Sequence, residues 1–172
     1  MVDISTGDEF EIIGRLALAG VLGAFIGLER ELRGYPAGIR TLALVTVGAA
    51  LFTEASKLFD GDNGRVAAQI VTGIGFLGAG VIFREGYTVR GITTAATIWS
   101  AAAIGMAIGL ELYWVATIGS VLVFALLEAR PLTRRFERVI APRERNLRDS
   151  IADLVEGGGD DDPEAEQRDD DD

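Results

Sequence analysis

The stretch Val66 to Phe83, VAAQIVTGIGFLGAGVIF, constrains this chain more than any other: eighteen residues without a charge, with glycines at Gly73, Gly75, Gly78 and Gly80. A soluble domain would have to bury such a run on every side, whereas a bilayer supplies that burial directly. A helix rising 1.5 Å per residue needs about 20 mostly apolar residues to cross a hydrocarbon core of roughly 30 Å. With one more residue at each end the run reaches that length, and it reads as a central membrane helix. Gly73, Gly75 and Gly78 also spell G-x-G-x-x-G, the mark of a phosphate-cradling turn, but that motif needs a preceding strand and a break in the apolar run. Here the run continues, so the glycines are assigned to helix packing, with Gly75 and Ala79 at small-xxx-small spacing.

Four more spans are expected around it. Ile12 to Leu28 carries Gly20, Gly23, Ala24 and Gly27 on a small-residue face, with Arg15 near its outer end, where a long side chain snorkels to the interface. Ile39 to about Phe59 spans only if Glu54 and Lys57 sit at its far end, three apart and able to pair. Ile92 to Leu110, rich in Ala, Thr and Gly, has little side-chain volume and belongs in the crowded middle of a bundle. Leu112 to Leu127 opens with Tyr113 and Trp114, as an interfacial aromatic belt would. The joints are short and charged: Glu29 to Thr41 with Gly34, Pro36 and Gly38, and Arg84 to Gly91. The fold class is therefore all-α, a polytopic membrane helical bundle of about five transmembrane helices.

The charge is segregated to match. Of the net −10, ten acidic residues against the single Arg168 lie between Glu156 and Asp172; such a tail has almost nothing apolar to bury and is expected to be disordered. The expected organisation is a membrane domain over residues 1–130, a basic segment with a possible amphipathic helix over 131–155, and the acidic tail over 156–172. Twelve basic residues fall on one side of five spans and three on the other. By the positive-inside rule this multi-pass protein of the cell membrane has a cytoplasmic C-terminus and an outside N-terminus. The first residues lack a basic n-region, so no cleaved signal peptide is expected. With neither Cys nor His, the chain lacks a cysteine nucleophile, a Cys/His zinc site and a histidine base, which argues against an enzyme. No cofactor, metal site or nucleic-acid partner is expected.

Four stretches in order, GLEREL at Gly27–Leu32, AGIRTLALVTVGAALF at Ala37–Phe52, GIGFLGAGVIFREG at Gly73–Gly86 and RGITTAATIWSAAAIGMAIG at Arg90–Gly109, resemble the MgtC/SapB family of bacterial and archaeal membrane proteins. The resemblance implies a small multi-helix protein of the cytoplasmic membrane, linked in its best-known members to growth under magnesium limitation and to virulence. It also implies regulation through membrane partners, among them the proton-driven ATP synthase, rather than the magnesium transport that the family name once carried. Longer members have a folded soluble C-terminal domain where this sequence has its basic stretch and acidic tail.

The candidate functional residues lie mostly at the joints. Glu29, Arg30 and Glu31 end one span, Arg40 and Thr41 begin the next, and Arg84 and Arg90 flank the later turn. Glu29 is expected to pair with Arg40 or Arg84 and so lock three helix ends. In a rival reading Glu29, Glu31 and Glu85 form an acidic mouth for a hydrated cation, though the interleaved arginines would repel one. Thr93 and Thr94, opening the fourth span, are explained by packing. Glu54 and Gln69 are the only acidic or amide groups near a path through the bundle, and both lie toward its outer ends. Gly23, Gly27, Gly73, Gly75, Gly78 and Gly80 are expected to pack helices. The function that follows is a non-enzymatic regulator acting through the bilayer, a homo-oligomer or another membrane protein; the alternative is a small magnesium or other cation transporter.

Overall fold

The computed structural model describes residues 6–58 and 63–129; the basic segment 131–155 and the acidic tail 156–172 lie outside them. Five helices follow in order: α1 (Thr6–Leu32), α2 (Ile39–Ser56), α3 (Asn63–Gly80), α4 (Ile92–Gly109) and α5 (Tyr113–Glu128). Two short strands, β1 (Phe83–Glu85) and β2 (Thr88–Arg90), form a hairpin between α3 and α4. Among the described residues α1, α2 and α4 are long and apolar enough to cross a membrane, and α5 is an apolar helix of 16 residues. The all-α polytopic bundle expected of a membrane protein is what forms.

α4 is the middle of the bundle and packs against each of the other four helices. Its nine buried residues include Ala101, Ala102, Gly105 and Gly109, and small side chains let neighbouring backbones come close. Two of these glycines are indispensable there: a Cβ on Gly105 would strike the Thr46 carbonyl of α2, and one on Gly109 would lie 2.6 Å from Thr53 Cβ. α1 meets α2 as closely. A Cβ on Gly27 would lie 2.6 Å from Ile39 Cα, and one on Gly23 would strike Thr46 Oγ1. α5 closes the bundle on α1 and α4, with Phe25 and Phe124 stacked at 4.6 Å between centroids.

The apolar run that looked central is peripheral. α3 packs mainly on α4 and less on α2, and its described residues bury only Ile70 and Gly78. The helix also stops short of the run's end. Val81 and Ile82 donate to Gly78 and Ala79 in closing turns, and Phe83 enters β1. The hairpin turns at Gly86, whose φ of +61° suits the first position of a two-residue turn. Gly91, with φ +90°, then reverses the chain against the Val81 carbonyl, where a Cβ would collide. The stretch expected to be one span and a short charged turn is therefore a helix followed by a hairpin.

Charged clusters at the two ends of the bundle

Arg15 and Arg30 stand fifteen residues apart on α1, about 22 Å along its axis, and each anchors a cluster. Around Arg30 the chain leaves α1 through Gly34, whose φ is +73°, and enters α2 at Ile39. Arg30 is fully buried and the Glu29 carboxylate is 2% exposed. Arg30 Nε donates to Glu29 Oε2 at 2.6 Å, and Arg33 Nε lies 2.7 Å from Glu29 Oε1. Arg33 Nη2 then donates to Glu128 Oε2 at 2.6 Å, tying the end of α1 to the end of α5. That hydrogen bond holds the Arg33 guanidinium above its ordinary pKa, fixing its charge. The Arg30 guanidinium lies 3.8 Å over the Tyr35 ring, a cation–π contact, and its Nη1 finds no acceptor among the described residues.

The expected partners of Glu29 are thus corrected. It pairs locally, with Arg30 in α1 and with Arg33 just past the helix end, and not with Arg40 or Arg84. The Glu29–Arg33 pair follows from i,i+4 spacing, which needs no tertiary search. Glu31 Oε2 accepts from the Ile39 amide at 2.9 Å and so caps α2, whose first amides have no intrahelical acceptor. Gly38 is where that carboxylate fits: a Cβ there would lie 2.6 Å from Glu31 Oε2. Arg40 and Thr41 line a cavity of about 300 Å³ with Glu31 and Tyr35. Arg84 donates to the Gly86 carbonyl and Arg90 pairs with Glu85 across the hairpin. Glu29, Glu31 and Glu85 therefore each have a separate partner, and they do not make a shared acidic mouth.

Around Arg15 the cluster joins three helices. Arg15 Nη1 donates to Glu54 Oε1 at 3.0 Å, Nη2 to Glu11 at 3.1 Å and Nε to the Tyr113 hydroxyl at 2.9 Å. Lys57 Nζ reaches both Glu54 Oε2 at 3.1 Å and Glu111 Oε1 at 3.0 Å. The expected Glu54–Lys57 pair forms, but Arg15 does not simply snorkel: it is the hub. Glu111 sits in the turn between α4 and α5 with φ +64°, and the Lys57 hydrogen bond pulls its carboxyl below the usual range. Asp8, Glu11, Glu54 and Glu111 border a cavity of about 350 Å³ with Arg15 and Lys57.

Among the described residues, no buried charge lies between the two clusters. Of the buried polar residues, Thr46, Thr53, Ser56, Thr97 and Ser120 bond a carbonyl of their own helix, and Thr94 is buried in α4 while Thr93 is exposed. No group of three or more acidic, His or Cys side chains that could hold a metal ion occurs among the described residues. The glycines divide. Gly23 and Gly27 pack tightly and Gly78 touches Ala95 at 3.6 Å, but Gly73, Gly75 and Gly80 meet nothing within 4 Å, contrary to expectation. The sequence reading missed Arg33, Glu111, Glu128, Gly105 and Gly109. A legible signal for the Arg15 hub was the i,i+4 spacing of Glu11 and Arg15.

Residues 16–136 match the sequence profile of the MgtC family. Over 125 residues the chain is 51% identical to Protein MgtC of Brucella abortus, covering 71% of this chain and 52% of that protein. It is 57% identical over 102 residues to Protein MgtC of Salmonella typhimurium, covering 59% and 44% respectively. The chain thus spans about half the length of the curated relatives it matches. No solved structure matches significantly. With a profile covering most of the bundle and relatives at this identity, the chain belongs to the MgtC family.

Proposed function

We propose that this chain is a non-enzymatic regulatory factor in magnesium or other ion homeostasis, acting in the cell membrane through contacts with other membrane proteins. One observation carries the reading: the buried charges Glu29, Arg30 and Glu54 are all in ion pairs within the chain. A permeation path needs ionisable or polar groups facing water along its length, and here the groups that could serve are engaged in holding helix ends together. Rigid ends and a small-residue middle make a scaffold whose outer faces do the work. The excess of basic residues at one set of joints supports a cytoplasmic C-terminus and an outside N-terminus.

The ATP synthase is the partner that the family resemblance names. Co-reconstitution with a purified ATP synthase tests it: inhibition of ATP-driven proton pumping that grows with the amount of this chain is expected, and an unchanged rate removes that partner. A cation transporter is the second reading, favoured by the carboxylate-bordered cavity at the Arg15 end.

A further inference from the structure

The hairpin between α3 and α4 stands clear of the bundle. Every residue of β1 and β2 is exposed, and among the described residues neither strand packs extensively on a helix. A lone two-stranded hairpin is marginally stable at best in water, so strands of three residues each call for a surface to lie against. Its side chains are those of an interface. Tyr87 in the turn is fully exposed, and Phe83 and Val89 are half-exposed. The register sets Phe83 opposite Arg90 and Val89 opposite Arg84, so each face of the ladder couples an apolar side chain to an arginine. Arg90 is paired with Glu85. Arg84 is not: its Nε donates to the Gly86 carbonyl, and no carboxylate pairs with it among the described residues.

The position of the hairpin narrows what covers it. α4 runs beside α2 in the same direction, with Gly105 against Thr46 and Gly109 against Thr53, so the hairpin ahead of α4 lies at the Arg30 end. α4 is long and apolar enough to cross a membrane, which brings the chain just before Ile92 to the bilayer surface. Ile82 and Ile92 flank the hairpin and are themselves exposed, so the apolar outer surface of α4 continues onto the strands. On the orientation proposed above, this end faces the cytoplasm, whose leaflet carries anionic lipid. Water alone would leave Phe83, Tyr87 and Val89 unburied, and a protein partner would have to bring a carboxylate for Arg84. The headgroup layer meets both needs at once.

We infer that the Phe83–Arg90 hairpin is a membrane-surface anchor that takes an anionic phospholipid. It lies in the headgroup layer beside α4, where Phe83 and Val89 reach the acyl boundary and the Tyr87 hydroxyl stays among the headgroups. The remaining guanidinium nitrogens of Arg84 bind the lipid phosphate in charge-assisted hydrogen bonds. Anchoring of this kind serves a regulator and a transporter alike, so its failure would leave the proposed function standing.

The chain has no cysteine, so a fluorophore attached to Tyr87→Cys reports the hairpin turn alone. The full chain is reconstituted into liposomes of phosphatidylcholine and phosphatidylglycerol, with a nitroxide near the top of the acyl chain of one lipid or the other. Iodide present on both sides of the membrane is expected to quench the probe several-fold less than it quenches the free dye. Nitroxide-labelled phosphatidylglycerol should quench at about a fivefold lower mole fraction than labelled phosphatidylcholine, the preference one arginine near an anionic surface confers. Arg84→Gln should abolish that preference in protein whose helical circular dichroism is unchanged. Iodide quenching equal to that of the free dye, equal quenching by the two lipids, or a preference that survives Arg84→Gln would overturn the inference. So would shielding from iodide that appears only in native membranes, which would give the hairpin a protein partner instead.

Discussion

Arg15 on α1 donates from Nη1 to Glu54 on α2 at 3.0 Å, with the Glu54 carboxylate 5% exposed. The pair closes one end of the most extensively packed helix pair, α1 and α2, and Lys57 Nζ pairs with the other oxygen of the same carboxylate at 3.1 Å.

Removing that arginine leaves a buried carboxylate with Lys57 alone. Arg15→Gln is expected to destabilise the bundle by about 1.5–3 kcal/mol, the range for a lost hydrogen bond to a charged group. Arg15→Gln/Glu54→Gln should recover part of the loss, because the charge left behind is then gone. Thermal unfolding in detergent by circular dichroism checks both.

The glycines sort by what surrounds them. Gly27→Ala forces a Cβ to 2.6 Å from Ile39 Cα and should cost about 1–3 kcal/mol through overpacking. Gly75→Ala enters open space and should be neutral or stabilising by up to about 1 kcal/mol. Equal losses at the two positions would contradict the peripheral placement of α3.

Tyr35 contributes to the Arg30 cluster through its ring face. Tyr35→Leu removes the ring beneath Arg30 and should lower stability by about 0.5–2 kcal/mol. The same unfolding assay reads the loss.

Acid should loosen the Arg15 cluster. Lys57 holds the Glu111 carboxyl below its ordinary value of 4.5, so its stabilising contribution is fully present above that value. The contribution is lost as pH falls through 4.5 toward the lower folded pKa. Glu111→Gln removes this part of the acid sensitivity, which should appear as a flatter fall of melting temperature with pH below 5.

The helices and the central place of α4 were legible in the sequence, because length, hydropathy and an excess of Ala, Thr and Gly translate directly into span and crowding. The place of α3 was not. A run apolar on every side has no periodicity to tell a protein-facing face from a lipid-facing one, and its glycines looked like packing when Gly73, Gly75 and Gly80 are open. Its end at Gly80 was hidden for the same reason, since Val81 to Phe83 are as apolar in a strand as in a helix. Glu54 and Lys57 were readable as an i,i+3 pair. The bonds from Arg15 to Glu54 and Tyr113, 39 and 98 residues away, exist only in the folded bundle.

Magnesium flux into liposomes tests the central claim most directly. Purified chain, shown to be folded and inserted, is compared with empty liposomes and with Glu29→Gln and Glu54→Gln variants. With its buried charges paired off inside the bundle, the chain is expected to give no flux above the empty control. Saturable flux that either substitution abolishes, in protein that still folds, would contradict the regulatory account and make the clusters part of a cation path.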